Sequence, residues 1–153
     1  MNEASPAPVE TDPYLVEGWD ARAPRPGLSK ATRRRARLVA EALFTDDDGP
    51  PPPARLDWLE TDLADFFGHL ALRARFIFWI CVTSTYVLAP LVFGRFTSFG
   101  RLPRSERVHA LEAFERTPLS LALLGAKAIL SIVYFEHPDA ARAIGWDQGC
   151  KRP

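Results

Sequence analysis

The side chains able to ligate a metal or attack a substrate are few and far apart. The three histidines, His69, His109 and His137, share no spacing that puts two on one helix face, and none lies in a cysteine- or carboxylate-rich cluster, so metal ligation has no support. Cys81 falls inside an apolar run and Cys150 lies three residues from the end, which makes neither a disulfide framework nor a metal spacing. Both fit a reducing compartment. The apolar neighbours of Cys81 should raise its pKa and leave it inert. Asp46-Asp47-Asp48-Gly49 lacks the alternating ligands and closing glutamate of a calcium loop. The nine glycines are scattered as helix stops and turns instead of forming a phosphate loop, and there is no Gly-x-Ser-x-Gly elbow and no Cys-x-x-Cys-His haem attachment. The expectation is a chain with no catalytic residue, no cofactor and no metal of its own.

A chain of 153 residues suits one compact core, burying roughly 70% of the surface its unfolded form exposes. Basic and acidic side chains number 19 each, so the overall field gives no reason to expect nucleic acid. The charges are nevertheless segregated. Phe66 to Ser105 contains five arginines and no acid, whereas Thr45 to Asp65 holds seven acids against Arg55 alone.

The elements that would position these groups are helices. Residues 1–28 carry Pro6, Pro8, Pro13, Pro24 and Pro26 and few large apolar side chains, which predicts a disordered arm. Its Tyr14, Leu15, Val16 and Trp19 form an apolar cluster that either docks elsewhere or packs on the arm's own domain. Ser29 is a candidate N-cap for a helix to about Phe44, apolar at Leu38, Val39, Ala42 and Leu43 and basic on the other side. Pro50 to Pro53 then give an extended connector. A second helix is expected from Arg55 to about Arg73, a third within the uncharged run Phe76 to Gly94, a fourth from Arg104 to about Arg116, a fifth from Leu119 to Phe135, and a short sixth from Pro138 to Gly145. No useful period-2 alternation occurs. The fold class is therefore all-α: about six helices in one irregular bundle over 29–147, followed by a tail, 148–153.

Two of these helices are apolar nearly all round. Phe76 to Gly94 has 19 residues, about 28 Å of helix and close to the thickness of a bilayer core, but Thr83-Ser84-Thr85 and Pro90 work against insertion. In Leu119 to Phe135, Lys127 sits near the midpoint, where it costs about 2.5–3.5 kcal/mol and nearly cancels the apolar gain. Two such helices exceed what one small core needs, so a protein partner or lipid should cover part of them. A small membrane-anchored protein with a span at 76–94 is the alternative reading. No signal peptide is visible, since Arg33-Arg34-Arg35 leads into a stretch that includes Glu41. Location is expected to be cytoplasmic or membrane-associated, with export alongside a partner as the other route.

Three stretches carry a family likeness: Leu28-Ser29 through Ala40-Glu41-Ala42-Leu43-Phe44; Arg95-Phe96 through Leu102-Pro103-Arg104-Ser105-Glu106-Arg107 to Phe114; and Ala126-Lys127-Ala128 through Tyr134-Phe135-Glu136-His137-Pro138 to Gly145-Trp146-Asp147. Together they resemble the gluconate 2-dehydrogenase subunit 3 family, the small companion chains of membrane-linked flavin dehydrogenases. They are also similar to the helical segment that precedes the catalytic part of long-chain alcohol oxidases of the glucose-methanol-choline class. The resemblance implies a non-catalytic accessory or maturation subunit whose partner, an FAD-dependent oxidoreductase large subunit, holds the flavin. A cytochrome electron acceptor or a membrane would be a further partner. It points to Lys127, Tyr134, His137, Gly145, Trp146 and Asp147 as the contact region, with Trp146 an aromatic anchor, Gly145 a helix-ending backbone and Lys127 paired with a carboxylate or a helix end. Internal packing is the competing reading for each. The chain departs from the family in lacking a twin-arginine signal and in reading Asp147-Gln148-Gly149-Cys150 where Asp-Gly-Pro is expected.

Overall fold

The structure, a computed structural model, describes residues 27–145. Its six α-helices are α1 (Lys30–Leu43), α2 (Pro53–His69), α3 (Leu72–Val92), α4 (Arg104–Glu115), α5 (Ser120–Glu136) and α6 (Pro138–Ala143), with one 3-10 turn at Phe99–Arg101. Among the described residues there is no strand, only an isolated bridge between Asp46 and Gly49. The all-α expectation therefore holds. The arm through residue 26, together with Trp146, Asp147 and the tail, lies outside the described residues.

Helix ends follow local chemistry. Ser29 caps α1, its Oγ accepting from the Thr32 amide at 3.2 Å. Pro53 and Pro138 open α2 and α6, where a missing amide costs nothing. Gly145 closes α6 with φ +75°, a left-handed backbone that favours glycine. Two boundaries differ from the sequence expectation. α2 starts at Pro53, not Arg55, and so takes the last proline of the expected connector. It also stops at His69, Leu70 is extended, and α3 starts at Leu72, taking Arg73 and Arg75 into its first turn. Gly68 lies in the last turn of α2 but keeps a negative φ, so neither a left-handed glycine nor a proline marks the break between α2 and α3. Arg75 secures it by donating from Nε and Nη2 to the Leu70 carbonyl at 3.3 and 3.1 Å.

α1 is the central helix and packs on α2, α3, α4 and α5. Its inward residues are small, Ala36, Val39, Ala40 and Ala42, so neighbouring helices can approach closely. Phe67, Phe99 and Phe114 are the largest fully buried side chains; Phe67 meets Phe78 of α3 at 4.7 Å between ring centroids and Phe99 lies 5.9 Å from the Tyr86 ring of the same helix. Leu28 joins the same core, so packing begins just before Ser29. The basic side of α1 is partly used inside the molecule: Arg37 pairs with Asp57 of α2 at 2.8 Å, which joins a basic helix to an acidic one. Glu41 accepts from Arg104 and from Arg107, each at 2.8 Å, and ties α1 to α4.

Candidate interaction surface

α3 and α5 pack against each other but bury only their inner sides. On α3 the inward residues are Phe78, Val82, Thr85 and Ala89. Leu72, Phe76, Ile80, Val87 and Leu91 recur on the opposite side at helical spacing and are exposed. Trp79 stacks beside Phe76 with ring centroids 5.7 Å apart, and Phe96, just past the helix, is 96% exposed. α5 repeats the pattern with Leu121, Leu124 and Ile132, the first two 74% and 60% exposed. The two ridges are neighbours, because Cys81 lies against Gly125 so closely that a Cβ at 125 would sit 2.9 Å from its sulfur. Burial pushes the Cys81 thiol pKa up, as its apolar setting suggested.

Side chains of this kind, scattered singly, need no explanation; two adjoining rows of them do. The surplus is what the two all-round apolar segments implied. A nearly uniform apolar helix gives no sequence signal for which side faces out, so the faces themselves become visible only here.

The residues expected at a partner contact divide. Lys127 lies on exposed α5 surface with Nζ 3.5 Å from Glu115, a carboxylate partner across the α4–α5 bend. Gly145 and its neighbour Ile144 are exposed at the end of α6. Tyr134, in contrast, is buried: its ring stacks on Phe44 at 4.1 Å and its hydroxyl accepts from Arg55 at 3.4 Å. It joins α5 to α1 and α2 from within and presents nothing to a partner. His137 has a local task. Its Nδ1 accepts from the Asp139 amide at 3.2 Å, capping α6, and its ring meets Trp58 edge-on at 5.3 Å. Trp146 and Asp147 lie outside the described residues.

One cluster was missed in the sequence. Asp62 of α2 and Glu136 of α5 share a side-chain hydrogen bond, and both carboxyls are pushed above their ordinary range, chiefly by burial and then by neighbouring acids, Asp65 for Asp62 and Asp62 for Glu136. Two acids 74 positions apart carry no local signal of such a pairing. No group of three or more His, Cys, Asp or Glu that could hold a metal ion occurs among the described residues. No family model, curated protein or solved structure matches the chain.

Proposed function

We propose that this chain is a non-catalytic accessory subunit that seats the outer ridge of α5 on a larger protein, and that this protein is an FAD-dependent alcohol or sugar dehydrogenase of the glucose-methanol-choline class. The observation that carries the docking is the exposed row Leu121, Leu124 and Ile132 beside Lys127. Such a row, apolar at its centre with one cation at its side, suits a protein interface, whose core is depleted in charge. The class of partner rests on the sequence resemblance, which includes Lys127 and the α5–α6 turn. FAD would belong to the partner.

The test is to purify the tagged full chain from its native host and follow flavin absorbance. A stoichiometric FAD-bearing protein should accompany it and be lost when Leu121→Asp and Leu124→Asp are introduced together. Flavin bound by the isolated chain, or a monomer that no flavoprotein follows, would refute the reading.

A membrane span is the second reading, favoured by α3. Its 21 residues are long and apolar enough to cross a bilayer, at about 31 Å, and of them only Phe78, Val82, Thr85, Ala89 and Pro90 are buried in the protein. Carbonate extraction separates the two, since a span stays with the membrane.

A further inference from the structure

The middle of α3 is not free for lipid on all sides. Arg35 of α1 donates to Thr83 at 3.3 Å and places its guanidinium 5.6 Å from the centre of the Tyr86 ring, so a cation is fixed beside the helix midpoint. Thr85, one turn before Ala89, is fully buried against the rest of the protein. If α3 crossed a bilayer, Arg35 would sit at the hydrocarbon midplane, a position that costs about 2.5–3.5 kcal/mol on insertion scales and more in an isolated helix. The same guanidinium is well placed if the helix axis runs parallel to the membrane, because the whole of α3 is then at headgroup depth.

Charge follows the same geometry. No Asp or Glu occurs from Phe66 to Ser105 or from Arg116 to Phe135, the stretches that contain α3 and nearly all of α5. Arg73 stands on the first turn of α3, three and four residues before Phe76 and Ile77, and is exposed. Arg101, also exposed, belongs to the 3-10 turn that packs on α3, where the Tyr86 hydroxyl accepts from the Gly100 amide at 3.3 Å. The ridge between these cations includes Phe76 and Trp79, aromatic residues of the type enriched at membrane interfaces. An apolar helix face with cationic margins is the pattern of an interfacial helix.

We propose that α3 lies flat on an anionic membrane surface, with Leu72, Phe76, Ile80, Val87 and Leu91 entering the headgroup–acyl boundary and Arg35, Arg73 and Arg101 meeting lipid phosphates. The chain is then a peripheral protein that neither spans the bilayer nor needs the oxidoreductase to reach it. This contact uses α3, whereas the protein contact proposed above uses α5, so each can fail alone.

The test is flotation of the full chain with vesicles of phosphatidylcholine alone and of phosphatidylcholine with one part in about three phosphatidylglycerol, a composition giving a surface potential that attracts cations. The chain should float with the anionic vesicles and weaken by about fivefold for each of Arg73→Gln and Arg101→Gln. Phe76→Ser combined with Ile80→Ser, both at exposed positions, should abolish flotation while far-UV circular dichroism stays unchanged. Carbonate should release the bound chain. Equal binding to both vesicle types, retention after carbonate, binding indifferent to the ridge substitutions, or a folded chain that stays in solution because only a protein covers α3 would each overturn the proposal.

Discussion

Replacing Gly125 by alanine sets two effects of similar size against each other. Alanine inside a helix is favoured over glycine by about 0.8–1 kcal/mol, which should strengthen α5. The new Cβ would, however, lie 2.9 Å from Cys81 Sγ and 3.8 Å from its Cβ, against an optimum near 3.5–4.0 Å even for the smaller carbon–carbon pair. Overpacking a helix contact costs about 1–3 kcal/mol. Sulfur is the tip of a side chain with one torsion, so the lower half of that range applies, and Gly125→Ala alone should destabilise by about 0–1 kcal/mol. In a Cys81→Ala background the obstacle is gone, and the same substitution should stabilise by about 1 kcal/mol. The double-mutant cycle therefore predicts a coupling of about 1–2 kcal/mol, measurable by urea unfolding followed by circular dichroism. Additivity within about 0.5 kcal/mol would show that α3 and α5 do not meet at these residues, and the two exposed ridges would no longer adjoin.

Glu41→Ala leaves Arg107 largely buried without its carboxylate and should cost about 1–3 kcal/mol in urea unfolding, more than removal of an exposed pair such as Arg142 with Asp139. The Asp62–Glu136 pair gives a pH dependence: with both folded pKa values raised above 3.8 and 4.5, the folded chain holds more protons than the unfolded one through the window just above those values. Its contribution is thus fully present below that window and lost as pH rises through it, so Asp62→Asn should flatten this part of the stability profile in denaturation at a series of pH values. His137→Ala removes the α6 cap and should cost about 0.5–2 kcal/mol locally, seen as faster amide exchange in α6 while α1 to α5 keep their protection.

Much of the fold was legible because helix ends are decided within a few residues. Ser29, Pro138 and Gly145 start or stop helices by sterics and hydrogen bonding that need no tertiary partner. The α2–α3 break was hidden because its cause is the extended backbone at Leu70 and the Arg75 guanidinium on the Leu70 carbonyl, a bond that becomes evident only once the chain has turned. The family resemblance assigns Tyr134 to a partner contact, yet it follows Leu123, Ala126 and Leu130 on the inward series of α5. A count of helical period would have turned it inward, but its stacking partner Phe44 is 90 residues away. The acidic stretch after Thr45 and the basic α1 similarly resolve into Arg37–Asp57, an internal contact between segregated charges.

The exposed faces pose the opposite difficulty. Where almost every residue of a helix is apolar, burial selects a side through packing alone, and it is the neighbours of α3 that choose. Arg35, reaching Thr83 from α1, marks the boundary between the side that belongs to the fold and the side left over. On the proposed orientation, a helix whose midpoint is tied to a guanidinium suits the edge of a bilayer better than its centre. That contact, made by one side chain from a different helix, is what the proposed surface orientation rests on, since the composition of α3 suits a span equally well.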